Sequence, residues 1–384
     1  MKLLKKYNYG KQYIDCHDIL AVLKTLVSNF LTQGPKVAEF EKAICDYTGA
    51  KYSVVVANAT AALHIAMIAL EIGGGDEIIT STNTFLASAN CALYVGANPK
   101  FADIDPATAC IDADEIKKNI TTKTKVLIPV HFAGQSCDMK AIHKIAKQHN
   151  LFVVEDAAHA IGSEYEGAKV GACQYSDMTI FSFHPVKNMT TGEGGAITTN
   201  NEKLYKKLLL LRSHGMTRDP NVLLKNDGPW YYEMHDFGFN YRLTDIQAAL
   251  GVSQLKKIDK FAKRRREIVE FYKKEFADDG RFSFLEEKEN SKACFHLFPL
   301  LIDFEKIKIN KKDLFLKLQQ NGLNLQIHYI PVHLQPFYRA RGFREGDFVN
   351  AEKYYQKTIS LPLYYGLKNC DLRKIVKIIK DNVI

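Results

Sequence analysis

Short apolar runs recur through the first two hundred residues, and between them the apolar spacing changes to that of helices. The runs are Ser53-Val54-Val55-Val56, Glu77-Ile78-Ile79-Thr80, Val126 to Val130, Leu151 to Glu155, Met178 to Phe183 and Ala196 to Thr199. Several are apolar without alternation, which is the pattern of strands covered on both faces. Helices over Ala61 to Leu70, Thr84 to Tyr94 and Asp138 to Gln148 would cross over between them. Val37, Phe40, Ile44 and Tyr47 mark another helix, which meets Gly49 as a C-cap. This alternation predicts an α/β fold around a large, mostly parallel sheet. After about residue 245 the texture changes. A helical pattern runs from Thr244 towards Phe276 with room for one interruption. Shorter elements follow over His296 to Ile302, Lys311 to Gln320, Leu323 to Ile327, Ala351 to Gln356 and Leu372 to Ile379. We expect a large domain over residues 1–245, N-terminal segment included, and a small α+β domain over 246–384 that begins with the linking helix.

Composition narrows the function. The chain has 384 residues, 46% hydrophobic and 25% charged, enough for a sizeable core. Its opening Met1 to Lys6 is too short in apolar residues for a signal peptide, and no long uncharged apolar run follows; a cytoplasmic protein off the membrane is expected. None of the eight cysteines forms a C-x-x-C pair, so they read as reduced, buried side chains and no metal site is expected. The net charge of +9 is partly concentrated in Lys256-Lys257 and Lys263 to Arg266. Those residues alternate with Ile258, Phe261, Ile268 and Phe271, which suits a solvated helix face better than a nucleic-acid surface. A general positive potential would also favour an anionic substrate.

Four segments carry chemistry. Phe181-Ser182-Phe183-His184-Pro185-Val186-Lys187 runs an apolar strand into a lysine, and Gly192-Glu193-Gly194-Gly195 follows. A lysine becomes nucleophilic when burial or a cationic neighbour removes its charge, and a strand end at a cleft offers burial. Asp156 ends another apolar run, where ligands bind in open α/β sheets. It could pair with a protonated ring nitrogen, or simply cap a helix starting at Ala157. Asn58-Ala59-Thr60-Ala61 opens a helix after a strand, and its amides suit an anion such as phosphate, although any strand-to-helix turn offers as much. Gly238 to Gln247 places Asn240 and Arg242 before a helix, where a plain turn with a cap reads equally well.

Together and in this order, these segments resemble the DegT/DnrJ/EryC1/StrS sugar aminotransferases, within the aspartate-aminotransferase-like fold type I. The resemblance runs from Tyr9 to Pro362, and Ser182-Phe183-His184 leading to Lys187 and Gly192 to Gly195 is its most specific part. It implies pyridoxal 5'-phosphate as cofactor, with pyridoxamine phosphate as the form between two half-reactions. Lys187 would carry the cofactor and Asp156 would pair with its pyridine nitrogen. His159, where many members have Gln, would lie near the 3-hydroxyl, and Phe85 would stack on the ring. Thr60, Ala61 and Ser182 would hold the phosphate. Asn240 would reach that phosphate from the neighbouring subunit, making the protein a homodimer with shared active sites. Ala59 departs from the family's usual Ser and would alter phosphate or substrate contacts.

Finer likeness lies in Thr84 to Ala92, Leu211 to Met216 and Gln326 to His333. These stretches resemble members that aminate C4 of a UDP-linked 4-keto-6-deoxy-2-acetamido sugar on the way to pseudaminic acid, with L-glutamate as the expected donor. Tyr9, Asn29, Phe30, Leu31, Thr32, Gln326, Ile327, His328 and Tyr329 would then contact the nucleotide sugar, with Ser88-Ala89-Asn90 near them. Arg242 is a candidate for the donor carboxylate. His328 reads either as a second acid/base or as a packed loop histidine. The alternatives are an aminotransferase for another nucleotide 4-ketosugar (GDP-perosamine, UDP-4-amino-arabinose or dTDP type) and a non-catalytic cofactor-binding regulator. A dehydratase of this family would have His at the lysine position, and a Rossmann oxidoreductase would need G-x-G-x-x-G at Asn58-Ala59-Thr60.

Overall fold

The computed structural model describes residues 5–383; Met1 to Leu4, most of the basic opening, and Ile384 lie outside the described residues. The apolar runs form one seven-stranded sheet: β1 (Tyr52–Val56), β2 (Glu77–Ser81), β3 (Asn98–Ala102), β4 (Thr124–Ile128), β5 (Phe152–Asp156), β6 (Met178–Ser182) and β7 (Gly195–Thr199). The spatial order is β1-β7-β6-β5-β4-β2-β3. Neighbours from β6 to β3 pair in parallel, and β7 alone runs antiparallel to β1 and β6. Every residue of β2, β6 and β7 is buried, which explains why these strands read as continuous runs rather than alternations. β3 was not foreseen: Asn98-Pro99-Lys100 interrupts its apolar signal, and only pairing with β2 makes it a strand.

Helices cover the sheet. They are α1 (Cys16–Leu26), α2 (Pro35–Thr48), α3 (Ala59–Ala69), α4 (Ala87–Tyr94), α5 (Ala113–Asn119), α6 (Met139–His149) and α7 (Glu202–Arg212). Gly49 ends α2 as expected, at φ +84°, a left-handed conformation that costs glycine nothing. The pattern from Thr244 is two helices, α8 (Asp245–Leu255) and α9 (Ile258–Phe276), broken at Lys256-Lys257. α8 packs on α1 and α2, whereas α9 packs on the C-terminal elements.

Those elements form a three-stranded antiparallel sheet of Phe282–Phe284, Phe298–Ile302 and Thr358–Leu361. Tyr272, Phe298, Leu314, Ile375 and Ile379 fill its core. The N-terminal segment joins this second body: Tyr7–Asn8 pairs in parallel with Leu323–Asn324, and Tyr7 is part of the same core. One expectation fails here. Arg265 does not belong to a solvated face. It is 2% exposed, and its guanidinium donates to the carbonyls of Phe295, His296 and Leu363, which satisfy a charge the helix pattern cannot place. No described helix is long and apolar enough to cross a membrane.

Candidate active site

Because β1, β2, β5 and β6 run the same way, their carboxyl ends emerge along one edge of the sheet. A cavity of about 660 Å³ opens there. It is lined by residues that follow those strands: Asn58, Ala59 and Thr60; Thr84 to Ala87; Asp156, Ala158 and His159; Ser182, His184, Val186 and Lys187. Tyr9 and Gln326 to Ile330 close it from the second body, together with His296.

Lys187 follows β6 and sits in this wall. Burial lowers its ammonium from 10.5 to about 8, an effect the nearby Asp156 carboxylate partly offsets. Asp156 does not cap a helix, because a turn follows β5. Instead its Oδ1 accepts the Ala158 amide at 3.0 Å and its Oδ2 accepts the Ser88 hydroxyl at 2.6 Å. That second bond revises one expectation. Ser88 and Ala89 are fully buried, and Asn90 accepts from Tyr338, so this stretch supports the carboxylate and core instead of facing the cavity.

Across the cavity α3 begins. Asn58 caps it by accepting the Ala61 amide at 2.8 Å, which leaves the other first-turn amides without partners inside the helix. A Cβ at Gly195 would stand 2.6 Å from the Asn58 carbonyl carbon and 2.7 Å from the Ala59 nitrogen, so glycine there lets β7 pass under this turn. Thr60 and Ser182 line the cavity; Ala61 is buried behind them. Phe85 is 58% exposed on the cavity rim, a large apolar ring whose nearest aromatic neighbour is Tyr329, 6.3 Å away.

Three histidines meet here. His159 and His296 have ring centroids 4.4 Å apart, and burial holds both well below the usual histidine range, with Lys187 and one another or His328 adding repulsion. Burial also drives His328 down to about 3; its Nδ1 bonds the Ser360 hydroxyl at 2.8 Å and its ring lies 5.1 Å from that of Tyr9. His296 and Gln335 escaped the sequence reading, His184 and Glu193 entered it only as motif residues, and Ser88 was placed near the sugar and not behind Asp156. His296 stood inside an expected strand, and a buried serine one helical turn past Thr84 carries no local signal.

Asn29, Phe30, Leu31, Thr32, Asn240 and Arg242 do not line this chain's cavity. The first four are exposed and Thr32 bridges Thr244; Asn240 is exposed and bridges Ser213; Arg242 is half-buried and bridges Val56. Among the described residues lining the cavity, Lys187 is the sole lysine or arginine. No group of three or more described His, Cys, Asp or Glu side chains is placed to hold a metal.

The residues present fit pyridoxal phosphate: a lysine of lowered proton affinity, a carboxylate fixed at a strand end, open helix amides for a phosphate and an aromatic ring on the rim. A buried His296 Nδ1 without a hydrogen-bond partner lies in the same region. The fold and this site define a fold type I, pyridoxal-phosphate-dependent transferase. Residues 12–380 match the model of the DegT/DnrJ/EryC1/StrS aminotransferase family, and the chain belongs to that family as a sugar aminotransferase. It is 40% identical to the spore coat polysaccharide biosynthesis protein SpsC of Bacillus subtilis, over 98% of this chain and 96% of that one. It is 39% identical to a UDP-4-amino-4,6-dideoxy-N-acetyl-beta-L-altrosamine transaminase of Campylobacter jejuni, over the same shares. Among solved structures it resembles Helicobacter pylori PseC, an aminotransferase of pseudaminic acid biosynthesis, with TM-score 0.91, 34% identity and 99% of both chains covered. A Streptococcus pneumoniae chain described as a sugar aminotransferase, solved in a PLP form, gives TM-score 0.91 at 32% identity over 98% of each.

Proposed function

We propose that the enzyme moves an amino group from L-glutamate to C4 of a UDP-linked 4-keto-6-deoxy-2-acetamido hexose, in the cytoplasm, as a homodimer with shared active sites. The observation that carries the chemistry is that Lys187, lowered to about 8 by burial, and Asp156 line one cavity. The cofactor supplies an electron sink for charge developing at the reacting carbon. Lys187 Nζ would hold it and, once released, would carry the proton between the cofactor carbon and sugar C4. Asp156, fixed by Ser88 and the Ala158 amide, orients against the ring nitrogen. Thr60, Ser182 and the free amides of Ala59 and Thr60 would hold the phosphate, with the Ala61 amide already taken by Asn58, and Phe85 would cover the ring. Tyr9 and Gln326 to Tyr329 exclude water and bind the sugar side. His328 is neutral at physiological pH, so we assign it hydrogen bonding rather than proton transfer.

Two observations support a shared site. The substrates are polyanions, yet this wall offers one cation, which is also the catalytic one. Asn240 and Arg242 lie outside it, and the chain segments that lead to Thr32 and to Asn240 expose large apolar side chains, Leu23, Val27 and Phe30 in the first and Trp230 and Phe237 in the second. We assign Asn240 and Asn29 to Thr32 to the partner's cofactor and substrate, and Arg242 to the donor carboxylate.

The sugar assignment rests on the stretches around Phe85, His214 and His328, and the C. jejuni and H. pylori likenesses agree with it. The similarity to SpsC keeps other nucleotide 4-ketosugars in play. The deciding experiment compares kcat/KM for four purified 4-ketosugars: the UDP-2-acetamido sugar, UDP-4-keto-arabinose, GDP-4-keto-6-deoxymannose and a dTDP-4-ketosugar. A lost hydrogen bond to a buried polar group costs about 1–3 kcal/mol, so preference of tenfold or more is expected for the first. Preference for a GDP or dTDP sugar overturns the substrate and leaves the transaminase standing. Binding without turnover of any of them, with either half-reaction silent, would indicate a regulator.

A further inference from the structure

The family resemblance puts His159 next to the cofactor's 3-oxygen, but both of its ring nitrogens are already engaged by protein. The Ala133 amide donates to Nδ1 at 3.3 Å, and Nε2 lies 3.0 Å from the Tyr329 hydroxyl. An amide N–H can only donate, so Nδ1 carries the lone pair. A neutral imidazole has one ring proton, which must then be on Nε2. His159 therefore donates to Tyr329 Oη, and the hydroxyl's own proton is turned away from it. Among the described residues Tyr329 Oη makes no other side-chain bond, and the residue lines the cavity.

The loop holds this arrangement. The Tyr329 amide donates to Asn83 Oδ1 at 3.3 Å, and the Tyr354 hydroxyl donates to the His328 carbonyl at 2.9 Å. The Tyr329 ring lies nearly parallel to that of His159, at 19° and 6.1 Å, and packs against Phe132 and Phe85 at 6.2 and 6.3 Å. Burial raises the phenol far above its usual range, which keeps it a neutral donor.

We propose that Tyr329, rather than His159, donates the hydrogen bond to the anionic 3-oxygen of the bound cofactor, and that His159 is a positioning residue that aims Tyr329's proton. A substrate-side loop of the second body is thereby tied to the electronic state of the cofactor in the first. The inference rests on Lys187 and Asp156 holding the cofactor; borohydride trapping on Lys187 tests that separately, and no sugar enters the experiment below.

The test is a spectrophotometric pH titration of resting holoenzyme. A donor to the 3-oxygen competes with the lysine-linked nitrogen for that oxygen and lowers the nitrogen's proton affinity. Tyr329→Phe should raise the midpoint of the visible band by about one to two pH units, the scale of one hydrogen bond to a charged group. Asp156, Lys187, His159, His296, His328 and Tyr9 surround the site in both proteins and so do not account for a difference. His159→Gln keeps a side-chain N–H donor and should stay near the wild-type midpoint, whereas His159→Leu should shift it part of the way. In a Tyr329→Phe background neither His159 change should add to the shift. An unmoved midpoint in Tyr329→Phe overturns the proposal even if turnover falls. So does a full His159→Leu shift in the Tyr329→Phe background, which would mean that His159 touches the cofactor directly.

Discussion

Ser88 Oγ donates to Asp156 Oδ2 at 2.6 Å, joining the helix after β2 to the end of β5. With its single proton spent there, Ser88 must accept from the Thr84 hydroxyl 2.8 Å away. Thr84, Ser88 and Asp156 thus form a directed chain behind the cavity, all of them buried.

That chain makes Ser88 a support for the carboxylate. Ser88→Ala removes one of two anchors on Asp156 without adding volume. A hydrogen bond to a charged group contributes about 1.5–3 kcal/mol, so kcat/KM should fall roughly tenfold or more while the thermal midpoint moves little. Steady-state kinetics beside a melting curve check this. Unchanged kinetics would show that the Ala158 amide alone holds Asp156 in place.

Lys187 carries a stability cost with a definite pH window. Its folded value is about 8 against an ordinary 10.5, so the unfolded chain binds more protons between those limits and stability rises with pH there. Below pH 8 both states are protonated and the whole penalty is present; above 10.5 it is gone. Cofactor-free Lys187→Met should therefore be more stable than wild type at pH 7, by up to ~3 kcal/mol. Denaturant unfolding at pH 7 and pH 10.5 measures the gap, which should close at the higher pH. A gap independent of pH would mean that the ammonium is not what burial penalises. The same variant should lose borohydride labelling and turnover.

The sheet was readable because strands buried on both faces must be apolar throughout, and the ends of those strands told where Lys187 and Asp156 would stand. What the sequence hid was relational. Arg265 looked like one more charge in a basic run, since the three carbonyls that take its hydrogen bonds come from distant loops. Ser88 looked like a substrate contact because it follows Phe85; in space the helix turns it inward to Asp156. Tyr7 sits in the first ten residues but pairs with Leu323, a partner no local pattern announces. Asn29 to Thr32 and Asn240 stand outside this chain's cavity, and only the proposed shared site gives them a use.

Mixing experiments address that assembly. If Asn240 serves the partner's cofactor phosphate, Lys187→Ala and Asn240→Ala each disable a homodimer by different routes. Refolded together, they form hybrids in which one site keeps Lys187 from one chain and Asn240 from the other. The second site carries both defects. Random pairing of equal amounts makes about half the dimers hybrids, each with one good site, so about a quarter of wild-type activity should return. The recovery is read against each variant refolded alone, and by sizing the mixture in solution. If Asn240 served its own chain, the hybrid would contain one site lacking Lys187 and one lacking Asn240, and mixing would restore nothing beyond the two residual activities. A fully active monomer would likewise remove the basis for a shared site, and the single cation in the cavity wall would then have to serve both the substrate phosphates and the chemistry.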